Sequence, residues 1–151
     1  MQKHFDVLKQ TRKLLLKVIN HLSIEQLNKI PQGFKNNIVW NVAHLVVTQQ
    51  LLCYKLSNKK CLISEVMIEN FQKGSTPSYF VDEAEFENIK KLLLTLPETL
   101  EEDYNQGAFK EYATYTTSVN ITLNNIDDAI IFNTYHEGTH LGVILQLLKF
   151  V

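Results

Sequence analysis

The amino-acid sequence predicts an all-α protein built as a four-helix bundle, and two observations carry this prediction. Four long segments place apolar residues at alternating steps of three and four, which is the spacing of one inward face of a helix. The sequence has no glycine-rich phosphate loop and no alternation of strands with helices, so a nucleotide-binding α/β fold is not expected. Consecutive amphipathic helices of this kind bury their apolar faces against one another as a bundle.

Length and composition are those of a globular protein without a strong charge. The chain has 151 residues, which suits a single domain spanning 1–151, and its net charge is -1. We expect no nucleic-acid partner and no membrane span, because there is no basic stripe and no run of about 18 apolar residues. The first residues lack the apolar region of a signal peptide. Cys53 and Cys61 are therefore predicted to be reduced thiols in a cytoplasmic protein, and an exported protein with one disulfide between them is the alternative.

The first two long helices follow from their apolar rows. The first is predicted from about Gln2 to His21, with an inward row of His4, Leu8, Thr11, Leu15, Val18 and Leu22. Ser23 is the expected N-cap of a short helical turn that extends to Leu27. The second long helix spans about Asn37 to Leu56, and its inward row is Trp40, His44, Val47, Leu51 and Tyr54.

A short helix starting at Ser64 leads to the third long helix. The segment Asp82-Glu83-Ala84-Glu85 predicts a capping box, in which Asp82 caps the helix and the Glu85 side chain reaches back. Pro97 lacks an N–H and is expected to kink this helix or restart it. Residues 113–123 then alternate with a period of two and are rich in β-branched and aromatic types. This pattern predicts a strand-like crossover or a small hairpin laid over the bundle.

The last predicted helix runs from Asn125, its expected N-cap, to Lys149. Its inward row is Ile126, Ala129, Asn133, His136, His140, Val143 and Leu147. The row is apolar at both ends and polar at its centre, and buried polar groups are costly unless something satisfies them. Two histidines four residues apart lie on one face of a helix and can bind the same metal ion.

His44 completes a predicted three-histidine metal site, because it occupies the inward row of a second helix. Three protein ligands with an open position are the pattern of catalytic rather than structural zinc. Histidines that simply hydrogen-bond to the backbone are the alternative. Three imidazoles suit zinc, nickel, iron and copper alike. Because imidazole must be neutral to ligate, metal affinity is expected to fall below about pH 6.5.

Glu137 and Asn133 are candidate catalytic neighbours of the histidines. On a helical wheel Glu137 lies about 80° from the midpoint of His136 and His140, whereas Asn133 lies about 40° away. The Asn133 side chain is therefore expected to point more nearly toward the histidines than that of Glu137. Glu137 is either a general base or a solvated or salt-bridged residue beside the site. Asn41 and Thr48 are candidate hydrogen-bond partners of the imidazole on the second helix.

The string His136-Glu137-Gly138-Thr139-His140 also matches the His-Glu-x-x-His motif of zincin metalloproteases, in which Glu is the general base. Only 11 residues follow His140 in this sequence, which is too few for the usual downstream third ligand and the rest of a zincin lobe. A zincin-like protease is therefore ranked third among the functions considered.

The stretches NIVWNVAHL at 37–45 and HEGTHLG at 136–142 resemble the DinB-like superfamily, and the resemblance covers essentially the whole chain. It implies a four-helix bundle of up-down-down-up topology with one long connection, and a metal triad at His44, His136 and His140. It implies a zinc, nickel or iron ion and a homodimer.

Two activities follow from the resemblance. One is metal-dependent thiol S-transfer or isomerisation, with an unidentified small substrate and a low-molecular-weight thiol. The other is metal-dependent hydrolysis. The alternative to both is a non-catalytic, metal-stabilised helical domain with a stress or binding role.

Overall fold

The computed structural model covers residues 1–151 and contains six α-helices and one small hairpin. The helices are α1 Gln2–Ile19, α2 Ile24–Asn28, α3 Ile38–Gln49, α4 Glu65–Phe71, α5 Glu83–Asn105 and α6 Ile126–Leu147. The strands β1 Tyr115–Thr116 and β2 Thr122–Leu123 pair antiparallel, with Tyr115 opposite Leu123. The predicted all-α class and the extended insert before the last helix are confirmed. None of the helices combines the length and the apolar character that a membrane-spanning helix requires.

The bundle consists of the four long helices α1, α3, α5 and α6. Helices α1 and α3 each pack against both α5 and α6, so α1 and α3 occupy opposite corners. Helix α3 is the most enclosed of the four, because every residue in it except Thr48 is buried. A helix that is apolar around its whole circumference is buried on all sides. The single inward row predicted for this segment therefore understates how deeply it lies.

The side chains that precede α5 and α6 cap these two helices, as predicted. Asn125 accepts a hydrogen bond from the Asp128 N–H at 2.9 Å, and Asp82 accepts one from the Glu85 N–H at 2.8 Å. The second half of the predicted capping box at Asp82 is wrong. The Glu85 carboxylate accepts instead from the Tyr79 hydroxyl at 2.6 Å, which attaches the preceding loop to α5.

The buried face of α1 is rotated relative to the predicted one and has a charged residue at its centre. The buried row is Phe5, Leu8, Arg12, Leu15 and Ile19. Only Leu8 and Leu15 belong to both rows, because the prediction took Thr11 and not the charged Arg12 as the inward position between them. The apolar core has two clusters, and Arg12 lies between Leu8 of one and Leu15 of the other. Glu137 takes the corresponding place on α6.

Pro97 lies inside α5, which continues to Asn105, so the predicted restart of the helix is wrong. Proline has no N–H to offer to the carbonyl four residues earlier, which is that of Leu93. That carbonyl accepts a hydrogen bond from Arg12 Nη1 at 2.9 Å. The Arg12 side chain thus supplies the bond that Pro97 cannot make.

The second long helix changes its winding after Gln49, where a single helix to Leu56 was predicted. It continues as a π-helix at Gln50–Tyr54 and a 3-10 turn at Lys55–Ser57. The Gln49 amide donates to the Leu96 carbonyl at 3.0 Å, and the Gln50 side-chain oxygen accepts from the Leu62 N–H at 2.7 Å. These two contacts attach the end of the helix to α5 and to the following loop.

Candidate metal centre

The structure brings together the three histidines that the sequence predicts as ligands. Helix α3 provides His44, and α6 provides His136 and His140 one turn apart. The His44 ring centroid lies 5.2 Å from that of His136 and 4.8 Å from that of His140, and the latter two are 4.5 Å apart. Their ligand atoms all lie within 4.8 Å of one another, close to the span of about 4 Å that two zinc–nitrogen bonds bridge. The group could hold a metal ion.

The His44 ring is held by the last residue of α4. His44 Nδ1 lies 2.6 Å from the Phe71 carbonyl oxygen, and because a carbonyl only accepts, Nδ1 is the protonated nitrogen. The lone pair is therefore on Nε2, which faces the Thr48 hydroxyl at 3.2 Å. Thr48 contacts His44 as predicted, but it does so at the nitrogen that is free to ligate rather than at the protonated one.

Asn41 orients His140, not His44 as predicted. Its side-chain oxygen accepts from His140 Nδ1 at 2.8 Å. The Asn41 amide nitrogen donates to the Asn37 carbonyl at 2.7 Å, which fixes which end of the amide faces the imidazole. His140 therefore also presents Nε2 as its lone-pair atom. Metal-binding histidines commonly donate their other N–H to an oxygen in this way.

His136 carries an observation that fits a metal ion. Its Nδ1 atom is buried and has no hydrogen-bond partner. A buried polar atom without a partner is rare and costs free energy. Next to two imidazoles whose lone pairs are already oriented, such an unpartnered ring nitrogen matches a site that a divalent ion completes.

Burial lowers the pKa of all three imidazoles. Desolvation, reinforced by the neighbouring histidines, lowers the pKa of His136 to about 3 and that of His140 to about 4. The pKa of His44 is also lowered by desolvation, and its bond to Phe71 partly opposes this. All three rings are therefore neutral at pH 7, which is the form that binds metal. Protons compete with a metal only at a lower pH than the value near 6.5 that the sequence led us to expect.

Trp40 covers one face of His44. The two rings stack with centroids 4.5 Å apart and an angle of 12° between their planes. The Trp40 indole N–H donates to the Ser75 hydroxyl at 3.0 Å, which anchors the indole to the loop after α4. The imidazole of His44 is thus fixed by the indole on its face and by Phe71 at its edge.

Glu137 and Asn133, the candidate catalytic neighbours, lie in the bundle core and not among the residues that line the cleft at the histidines. Glu137 accepts from Arg12 Nε at 2.9 Å and from Arg12 Nη2 at 2.5 Å, and Asn133 donates to Glu137 at 3.4 Å. These contacts give both residues a structural role, and their catalytic roles stay predictions. Sequence reasoning missed Arg12, although its spacing from Leu8 and Leu15 marks it as an inward position.

A cleft of about 540 Å³ opens onto the three histidines. Helices α3 and α6 form its floor, and the hairpin forms a wall through Tyr115, Thr117, Ser118 and Val119. A larger cavity of about 800 Å³ lies between α1, α2 and the start of α5, but none of the histidines lines it. Volume alone therefore does not identify the site, whereas the histidine group does.

The chain matches a known family over most of its length. The sequence model of the family described as the DinB superfamily matches residues 8–144. This range includes the three histidines and nearly all of the four long helices. No curated protein matches the chain.

Proposed function

The chain belongs to the DinB superfamily, and from this premise we propose that it is a metal-dependent enzyme with a divalent ion bound by His44, His136 and His140. Zinc, nickel and iron are the candidate ions, because neutral imidazole suits all three. The proposed reaction is either S-transfer to or from a low-molecular-weight thiol, or hydrolysis of a small molecule. The observation that carries the proposal is that the three histidines line an open cleft.

The open cleft favours a catalytic over a purely structural ion. Structural zinc sites are closed by four protein ligands, whereas catalytic sites keep one position for water or substrate. Here three histidines form the group, and no cysteine, aspartate or glutamate joins them. The cleft leaves room beside them for a small molecule.

The residues around the histidines would prepare them for this chemistry. A divalent ion, when bound, lowers the pKa of a coordinated water or thiol and polarises a substrate. The Phe71 carbonyl and the Asn41 amide accept the Nδ1 protons of His44 and His140, so both rings carry the lone pair that a metal would use on Nε2. The Thr48 hydroxyl, which also lines the cleft, donates to His44 Nε2 at 3.2 Å, and a metal ion bound at that nitrogen would take the place of this hydrogen bond.

A non-catalytic metal-stabilised domain is the second candidate, and one observation supports it. The three histidines come from α3 and α6, so a bound ion would link two helices and stabilise the fold. Both candidates predict a higher melting temperature with metal, so thermal stability does not separate them. The two candidates differ in whether a small molecule can reach the bound ion.

Cobalt substitution tests which candidate is right. The visible absorption of the Co²⁺ protein is recorded during titration with azide and, separately, with 2-mercaptoethanol. An enzyme with an open position shows a saturable spectral change with at least one of them, whereas unchanged spectra with both contradict the proposal. The His44→Ala variant should lack the protein-bound cobalt band. A panel of chromogenic esters, and a thiol offered with an electrophile, then separate hydrolysis from S-transfer.

We extend the proposal to the context of the protein. The chain forms a single domain, and two copies associate as a homodimer. The protein is located in the cytoplasm, which is supported by Cys53 and Cys61, because both are free thiols. Light scattering on the purified protein tests the dimer, and a monomer mass at all concentrations contradicts it.

A further inference from the structure

The cleft at the histidines has an uneven distribution of charge. Two of the residues that line it, Lys55 and Lys73, are basic, and no aspartate or glutamate lines it. Both lysines are exposed, and neither takes part in an ion pair. The acidic residues of the chain slightly outnumber the basic ones, so this local excess of positive charge is not a property of the whole protein.

The metal site would add to this charge rather than offset it. Imidazoles ligate in the neutral form, so three histidines leave the double charge of a divalent ion uncompensated. Metal sites with carboxylate ligands reduce that charge, but none of the residues around this group supplies a carboxylate. A negatively charged substrate group would therefore be attracted by both lysines and by the ion.

The remaining walls of the cleft are largely apolar. Leu51, Leu52 and Leu56 line one part, and Phe132, Tyr135 and Val119 line another. An inorganic anion would leave these apolar surfaces exposed to water, whereas a molecule with an apolar portion would bury them. Lining of this kind matches a ligand with an apolar body and a single charged end.

We propose that the cleft binds a small organic anion, with an apolar portion against the leucine and aromatic walls and its charged group at Lys55 and Lys73. This inference rests on the proposed function, in which a metal ion at the three histidines is the reacting centre. The preference for a negatively charged ligand is a separate property, however, because the two lysines attract the ligand whether or not the metal is bound. The metal-free protein therefore tests it separately from metal binding.

The experiment uses Trp40, the one tryptophan of the chain, which lines the cleft and reports its occupancy by fluorescence. Metal-free protein is titrated with 4-phenylbutyrate and with its neutral analogue 4-phenylbutanamide. The anion is expected to bind about 10-fold more tightly than the amide, a ratio that corresponds to about 1.4 kcal/mol. In the zinc-loaded protein the preference is expected to be larger.

The Lys55→Gln/Lys73→Gln double variant is expected to reduce the preference in the metal-free protein to about 2-fold or less. A matched control is the Lys59→Gln/Lys60→Gln double variant, which makes the same change in net charge at exposed lysines outside the cleft. The control is expected to keep the wild-type preference. The inference is overturned if the amide binds as tightly as the anion, if neither compound binds, or if the preference survives in Lys55→Gln/Lys73→Gln.

Discussion

Arg12 and Glu137 form an ion pair in the centre of the bundle, with side chains that are 0% and 1% exposed. The guanidinium also donates to the carbonyls of Leu93 and Leu45, so one side chain joins α1 to the other three long helices. Leu45 and Glu137 directly follow His44 and His136 in the sequence. The pair therefore holds in place the segments of α3 and α6 that carry the histidines.

Removal of the Arg12 charge should destabilise the fold strongly. Arg12→Met leaves the Glu137 carboxylate buried without its cation, which costs about 3–5 kcal/mol in the free energy of unfolding. Urea denaturation of the metal-free protein measures this loss. The Arg12→Met/Glu137→Met double variant should recover part of it, because no unpaired charge then remains in the core.

Lys9→Met is the matched control for Arg12→Met, since Lys9 lies on the same helix and pairs with Glu101 near the surface. A pair of this kind contributes about 1 kcal/mol or less. If Arg12→Met cost no more than Lys9→Met, the buried pair would contribute no more to stability than a pair near the surface.

Asn41 is expected to control metal affinity without touching the ion. Asn41→Ala removes the acceptor that holds the His140 ring by its Nδ1–H, and loss of such a partner weakens metal binding by about 10- to 100-fold. Competition with a chromophoric chelator measures the affinity for zinc. The control is Asn36→Ala, because Asn36 accepts a hydrogen bond from the amide nitrogen of Asn41 at 3.1 Å and makes none to an imidazole. Equal affinities for wild type and Asn41→Ala would show that this hydrogen bond has no part in ligation.

The metal-free protein should lose stability as the pH falls below about 6.5. In the folded state the pKa of His136 is about 3 and that of His140 is about 4, whereas both are near 6.5 in the unfolded chain. Between these values the unfolded state binds more protons, so the free energy of unfolding decreases as the pH decreases. We expect a loss on the order of 4 kcal/mol between pH 7 and pH 5, about 2 kcal/mol from each of these two groups.

Carboxylates also titrate in this range, so the comparison uses the His136→Gln/His140→Gln variant, measured by urea denaturation at both pH values. The variant should show a clearly weaker dependence on pH between 5 and 7. The same slope in both proteins would mean that the imidazoles are not buried in their neutral form.

The histidine group could be predicted because ligands on one face of a helix recur in the sequence at the spacing of helical turns. The closeness of His136 and His140 follows from helix spacing alone, and a third histidine in the inward row of another helix indicates where the site is completed. Helix caps such as Asn125 are similarly local, since the cap and the N–H it binds are three residues apart.

The Arg12–Glu137 pair could not be predicted in this way. Its partners are 125 residues apart, and a charged residue is normally taken to mark the outside of a helix. The same limit applies to Asn41, which lies on the side of α3 that carries His44 but reaches His140 on another helix. Contacts between helices depend on their relative rotation and depth, which apolar periodicity fixes only approximately.

Binding of one divalent ion by His44, His136 and His140 is tested by the metal content of the reconstituted protein. Wild type, His44→Ala and His21→Ala are reconstituted with zinc, passed over a desalting column and analysed by mass spectrometry of the metal, with circular dichroism as the check on folding. His21 is the control because it lies exposed beyond the end of α1. Wild type and His21→Ala should retain about one ion per chain, and folded His44→Ala less than about a tenth of that. Equal metal content in wild type and His44→Ala would show that the three histidines do not form the metal site.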